Sequence, residues 1–539
     1  MEHAQAVARA PTPGRKRFSR TAIGALCAAG FATAAGAADL NPGGDWQIRW
    51  DNTLKYSAGY RLDAPMAALI SGAAKVNNDD GDRNFNRGLI SNRADLLSEF
   101  DIQKDGVGLR LSAAAWYDTV YNSGTANTSP ATSNNIGSGT GQFASDTRRI
   151  AGRNIEMLDW FVFGKNQIGD ATLSYRLGQH SLIWGTTLFF GMNGIAKGMA
   201  PIDLYKLSIP GAQAKETTIP VPQLSSSLQL RDDTSIEAYV QFKYRPTRLH
   251  PAGSYLSSTD MLGDGAESIF AGPLKLAYAG MVKGSLPNNF GLALNTRSEL
   301  LDADLGLYAI RYNDTSTQVV TQAASRRYFL AVPNNVRAVG ASISRLVGTA
   351  NVGLEASMRF GQPLVARSGT VVLPAGAVAS TWLADNVPYP TGRTMHLNLS
   401  STMITGASPL WDGASLVGEL SANHLNSVER NDIKVDTTLN KTSYGGRIVF
   451  TPTWYQVASG LDLSLPLNFA RAFKGRSVID TAFPFSGSPD HGGELIVGVT
   501  GVYLNKWSAN LSFINYMGKA ASQPLLDRDY LRFSLQASF

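Results

Sequence analysis

Apolar and polar residues alternate along much of this chain. Over residues 46–62, Trp46, Ile48, Trp50, Leu54, Tyr56, Ala58, Tyr60 and Leu62 share one side of an extended strand. Gln47, Arg49, Asp51, Thr53, Lys55, Ser57 and Arg61 share the other, because side chains alternate with period two. Val352, Leu354, Ala356 and Met358 oppose Asn351, Gly353, Glu355, Ser357 and Arg359 in the same way. The last stretch, 529–539 (DYLRFSLQASF), repeats the pattern and stops on Phe539 with its apolar face uncovered by anything later in the sequence. The pattern predicts strands near 46–62, 91–103, 107–119, 154–164, 171–180, 223–230, 235–244, 289–299, 303–313, 336–346, 350–360, 394–404, 413–425, 442–451, 460–469, 493–503, 507–517 and 529–539.

The connections alternate too. Short turns such as Lys104-Asp105-Gly106 and Leu504-Asn505-Lys506 are followed by long segments such as 120–153, 181–222 and 245–288. This predicts an all-β fold: a transmembrane antiparallel β-barrel of about 18 strands with short periplasmic turns and long extracellular loops, closed by pairing the last strand with the first. Trp50 and Tyr60 are ten residues apart, about 33 Å of strand and about 25 Å of height at a tilt of about 40°, the expected span between aromatic girdles.

Composition sharpens this picture. Charged residues are 17% of the 539, well below the roughly 25% usual for soluble domains. Mean hydropathy is −0.09, too polar for a helical membrane protein. Residues 1–38 read as a signal peptide: Arg9, Arg15, Lys16, Arg17 and Arg20 precede a soft apolar run, then Ala35-Gly36-Ala37. That leaves 39–539 as the barrel. The leader holds the only cysteine, Cys27, and carries five basic residues against Glu2, so a net +6 falls by four to +2. The pI near 9.2 is therefore no sign of a nucleic-acid partner.

The predicted polar faces carry both signs, including Arg93, Asp95, Glu99, Arg110, Arg176, Glu355, Arg359, Glu419, Arg447 and Arg532. They are expected to face the lumen, because a cation on the lipid face costs about 2–4 kcal/mol at the midplane. Such mixed charges can brace the barrel or line a path. The segment 181–222 lacks period-two alternation yet holds Trp184, Phe189, Phe190, Met192, Ile195 and Met199. It is expected to fold into the lumen and line an apolar constriction or binding pocket; packing on the wall for stability alone is the alternative.

Chemistry-bearing motifs are sparse. Asn78, Asp79, Asp80, Asp82 and Asn84 surround Gly81, but the EF-hand order and its closing Glu are absent. Ser488, Asp490 and His491 are sequence neighbours, and a triad needs convergence from separate segments. His180, His250, His396, His424 and His491 show no metal-ligand spacing, so neither a metal nor a cofactor is expected. His424 falls on the apolar side of its strand, where a lipid-acting enzyme would need it, with no Ser partner evident.

Several stretches resemble a family of Gram-negative outer-membrane proteins catalogued as a domain of unknown function: 80–99 (DGDRNFNRGLISNRADLLSE), 113–122 (AAAWYDTVYN), 176–185 (RLGQHSLIWG), Pro201-Ile202-Asp203, Ile209-Pro210-Gly211 and 215–222 (KETTIPVP). The resemblance implies an acid after the Trp-Gly pair, where this chain has Thr186. It also implies an outer-membrane barrel moving lipids or other hydrophobic compounds. The expected activity is passage of hydrophobic or amphipathic small molecules through a porin-like channel, not catalysis. A lipid-acting enzyme and a structural barrel with a plugged lumen are the alternatives. Expected partners are outer-membrane lipids, hydrophobic small molecules and, through 529–539, the barrel-assembly machinery.

Overall fold

The computed structural model describes residues 38–39, 45–73, 75–212, 214–282, 289–378, 388–485 and 491–539. Eighteen wall strands are numbered along the chain: β1 (Gln47–Arg61), β2 (Gly88–Lys104), β3 (Val107–Asp118), β4 (Arg153–Ile168), β5 (Ala171–His180), β6 (Val221–Arg231), β7 (Thr234–Gln241), β8 (Phe290–Ser298), β9 (Ala303–Tyr312), β10 (Val336–Val347), β11 (Ala350–Pro363), β12 (Thr391–Thr405), β13 (Gly413–Arg430), β14 (Thr442–Ala458), β15 (Leu461–Ser464 with Leu467–Lys474), β16 (Gly493–Tyr503), β17 (Trp507–Met517) and β18 (Tyr530–Ser538). Each pairs antiparallel with the next. The sheet closes where β18 pairs with β1, from Thr53↔Ser538 to Arg61↔Tyr530. Closure leaves no edge strand among the described wall strands, as a lipid surround requires.

The alternation sorts the side chains. In β1, Lys55, Ser57 and Arg61 are buried inside while Trp50 and Tyr60 are exposed outside. Leu292, Leu307, Val339, Leu354, Leu397, Leu420, Ile448, Val499 and Leu511 continue the exposed apolar belt. An apolar outer face on a closed barrel is the surface of an outer-membrane protein. No helix among the described residues is long and apolar enough to cross a membrane.

The strands at 154–164 and 303–313, where alternation is weakest, are both present, as β4 and β9. Several strands outrun the expected bounds: β13 continues past residue 425 to Arg430, and β14 past 451 to Ala458. The expected strand 460–469 is interrupted at Leu465-Pro466 and runs on to Lys474. Pro466 cannot donate to the ladder, and the break is bridged by Leu465 N to Pro452 O (3.0 Å) and Gly498 N to Pro466 O (3.1 Å).

The long loops are far more ordered than turn chemistry suggests. Ser268–Ala271, Leu274–Val282, Gln318–Gln322, Arg327–Ala331 and Thr370–Val372 form a second, five-stranded sheet from three different loops. Val320, Tyr328 and Leu276 are at its core. Ser133-Asn134-Asn135, which reads as an exposed turn, is instead tied inward: Asn134 is buried and its Nδ2 donates to Ser268 O at 2.8 Å.

Candidate functional site in the barrel lumen

The connection between β5 and β6, 181–220, packs against inward-facing side chains on two opposed stretches of wall. Its first half is held through its own backbone. Glu355 on β11 accepts the Thr186 N–H at 2.8 Å and the Ile195 N–H at 2.7 Å. Glu419 on β13 accepts three consecutive N–H groups, from Leu188 (3.1 Å), Phe189 (2.5 Å) and Phe190 (3.1 Å). Arg359 on β11 donates to the carbonyls of Asn193 (2.8 Å) and Gly194 (2.9 Å). Asn193 reaches Asn398 (3.1 Å), and its Oδ1 meets His396 Nδ1 at 2.8 Å. Two glycines permit the close approach. A Cβ at Gly185, whose φ is +95°, would sit 2.0 Å from Glu355 Oε2, and one at Gly194 would sit 2.8 Å from Oε1.

Beneath these contacts, Trp184, Ile195 and Met199 pack with Tyr239, Tyr308, Ile310, Tyr312, Val336 and Ala338 of the wall. Trp184 also donates from Nε1 to Glu237 at 2.7 Å. Lys197 is paired with Asp314 at 3.1 Å, both buried.

The second half is held by side-chain charge. Asp203 accepts from its own Lys206 N–H (2.9 Å) and from Arg248 (2.6 Å). Arg248 also grips Glu156 of β4 at 2.6 Å, and Lys206 lies 3.4 Å from the same carboxylate. Lys215 is ion-paired with Glu99 of β2, and Lys55 of β1 lies 4.0 Å from Glu216. Glu99 also pairs with Arg110, which reaches Asp101 at 3.1 Å. Arg93 is paired with Asp95 at 2.7 Å, donates to Ala151 O at 3.1 Å and lies over the rings of Trp116 and Tyr205. Arg176 faces Phe161 at 5.7 Å, with no carboxylate at ion-pair distance among the described residues.

A cavity of about 2890 Å³ runs along this segment. Its lining spans the periplasmic turns (Asp232, Asp233, Asp302) and the extracellular loops (Leu256, Met261). Of the six apolar residues singled out in sequence, Trp184, Phe189, Phe190 and Met192 line it; Ile195 and Met199 do not, being taken up in the wall packing. Arg447, already assignable to an inward face, and two loop phenylalanines with no sequence signal of their own also line the cavity beside these residues. Arg447 of β14, ion-paired with Glu494, lies over the rings of Phe189 (5.6 Å) and Phe485 (5.9 Å). Phe190 contacts Phe483 (6.3 Å) and Phe485 (5.8 Å). Arg447 was assignable to an inward face by alternation, but its aromatic neighbours come from two distant loops.

No group of three or more His, Cys, Asp or Glu that could hold a metal occurs among the described residues. The acidic run in the first long loop is used internally: Asp79 pairs with Arg83 (2.7 Å) and Asp82 with Arg61 (2.6 Å). Asp80 accepts from Asn127 (3.0 Å) and the Asn134 N–H (2.8 Å), while its own N–H donates to Asp260 (3.2 Å). Burial pushes Asp80 up to about 7 despite those hydrogen bonds, and raises Asp79 to about 6. His424 is on the outer face with Nδ1 2.7 Å from Thr442 Oγ1. Ser488 and Asp490 lie outside the described residues, as does the 1–37 part of the expected leader.

Strand number, closure, apolar exterior and charged interior define a porin-like outer-membrane β-barrel. Within that class the chain belongs to the family described as "Protein of unknown function (DUF1302)", which matches residues 18–539. Comparison with curated proteins gives no match. Among solved structures the chain is similar to OccAB2 of Acinetobacter baumannii, at 9% identity and a TM-score of 0.43, covering 91% of this chain and 98% of that one. It is also similar to OpdK of Pseudomonas aeruginosa solved with vanillate, at 8% identity and a TM-score of 0.41, covering 91% and 98%.

Proposed function

We propose that the protein is an outer-membrane channel for amphipathic small molecules, with the segment 183–193 as its selective narrowing. One observation carries the reading: a single cavity is lined by residues of both rims and, between them, by Trp184, Leu188, Phe189, Phe190 and Met192. Apolar rings beside the Arg447–Glu494 pair suit a solute with a hydrophobic body and a polar end. The inward charges elsewhere are mostly compensated, which argues against strong selection for one ion sign. Deleting 186–200 tests this. A folded deletion variant should raise single-channel conductance in planar bilayers and relax discrimination between apolar and polar solutes in liposome swelling. Unchanged permeation in a well-folded deletion would remove the narrowing from the reading.

A plugged barrel is the second reading, favoured by the five-stranded sheet built from the extracellular loops. Silent bilayers with the intact protein, and conductance only after deletion, would support it. The enzyme reading has weaker support: His424 faces outward beside a threonine. Lipid hydrolysis lost on His424→Ala would revive it.

A further inference from the structure

The apolar outer face carries an unusual placement of charge. Arg311 on β9 and Arg337 on β10 are direct register partners. Both point outward, because the flanking Ile310, Tyr312, Val336 and Ala338 all pack inside. Like charges directly opposite across a strand pair repel and destabilise the pairing. No carboxylate lies within ion-pair distance of either guanidinium among the described residues. Arg311 Nε donates to Asn335 Oδ1 at 2.6 Å, a neutral partner.

The same row continues sideways. Arg337 is the register partner of Phe360 on β11, and Phe290 on β8 that of Arg311. Arg393 on β12 lies over the Phe360 ring at 5.3 Å. Glu429 is 3.9 Å from Arg393 and accepts the Gly361 N–H at 2.9 Å, so one acid sits at the end of the row. Along the row, two outward arginines, Arg311 and Arg337, lie between two outward phenylalanines, and Arg393 follows beyond Phe360.

Its height is set by what lies toward the periplasm. Outward positions there are Leu307 and Ala309 on β9, Val339 and Ala341 on β10, Leu354, Ala356 and Met358 on β11, and Met395, Leu397 and Leu399 on β12. The next outward cation on β10 is Arg345, 3.9 Å from Asp302 of a periplasmic turn. Eight residues of strand separate it from Arg337, roughly 26 Å of chain and about 20 Å of height at the usual tilt. The arginine row thus marks the extracellular edge of the apolar band, the level of the outer-leaflet head groups.

We infer that Arg311 and Arg337, with Arg393 beside them, form a docking site for the phosphate groups of an outer-leaflet glycolipid. An anionic phosphate bridging the two guanidiniums turns a repulsive strand pair into a charge-assisted clamp. Phe290 and Phe360 flank the arginine pair on the same row, at the boundary where head groups give way to acyl chains. The location selects the source: these groups face the bilayer, where anions arrive on lipids.

The test uses the full chain in detergent micelles, with retained lipid read by native mass spectrometry. The probes are bisphosphorylated lipid A, its dephosphorylated counterpart and inorganic phosphate. The wild-type protein should retain the phosphorylated lipid about tenfold better than the dephosphorylated one. The Arg311→Gln/Arg337→Gln double variant should lose that preference, and inorganic phosphate should not displace the lipid. Equal retention of both lipids by wild type overturns the inference without any variant. So does an undiminished preference in a folded double variant, or displacement of the lipid by inorganic phosphate, which marks a free-anion site.

Discussion

The two halves of the β5–β6 connection are held to the barrel by opposite chemistries. Residues 184–195 are gripped at the backbone: Glu355, Glu419 and Arg359 bond main-chain N–H and C=O groups, whatever the side chains there. Residues 203–216 are held by their own charges, through Asp203, Lys206, Lys215 and Glu216. The first arrangement leaves the apolar side chains of that half free to face the cavity or fill the wall. It also concentrates the backbone hold on three wall residues, with Trp184 and Asn193 adding side-chain bonds to Glu237, Asn398 and His396. The second spreads the hold over a network in which Glu156 has two cations and Glu99 has two. The lesson is that a lumen segment can be fixed firmly while its exposed surface remains available for selectivity, provided the wall bonds its backbone.

The largest expected effect follows from the concentrated hold. Glu355→Ala strands the Thr186 and Ile195 N–H groups in a buried place, at about 1–3 kcal/mol each. Hydrogen exchange at 184–196 should accelerate far more than at 203–216, and bilayer conductance should become noisy. Equal change in both halves would break the comparison. Arg359→Met comes next, at about 2 kcal/mol, because the freed carbonyls have a second lone pair and water to turn to. Its readout is the same exchange pattern, confined to 192–195.

The extracellular cap provides a contrast by pH. Asp80 and Asp79 titrate near 7 and 6 in the folded cap against about 4 when unfolded. The folded cap therefore holds protons more tightly. Its stability is full below pH of about 4 and declines as pH rises through about 6 to 7. Limited proteolysis at 77–85 and 127–134 should be slowest in mildly acidic buffer, and Asp80→Asn should flatten the trend. Faster cleavage on acidification would reverse the sign and sink the claim. The smallest effect belongs to the distributed hold. Lys215→Met removes one cation that is 38% exposed, and Glu99 keeps Arg110. The change should stay under about 1 kcal/mol, with exchange at 203–216 barely altered.

Most of the wall was legible from sequence because lipid and lumen impose period two on every strand. Even the weakly patterned 154–164 and 303–313 are wall strands. The loop sheet was not legible. Its strands are mostly five residues or fewer, too short to show a period, and they pair across three loops. In the site, Trp184, Phe189, Phe190 and Met192 stood out because four large apolar groups without alternation need some cover. Phe483 and Phe485 did not, since two aromatics in a long loop carry no pattern.

By itself the sequence determined the closed barrel, its inward charges and its outward apolar belt, since each strand meets two solvents through alternate side chains. Only the tertiary structure decided what those charges do. Glu355, Glu419 and Arg359 bind backbone groups brought from residues 160 or more positions away. A backbone N–H is the same in every residue but proline, so no reading of side chains could name those partners. The opposition of Arg311 and Arg337 arises likewise from register, a property of the strand pair that neither strand encodes alone.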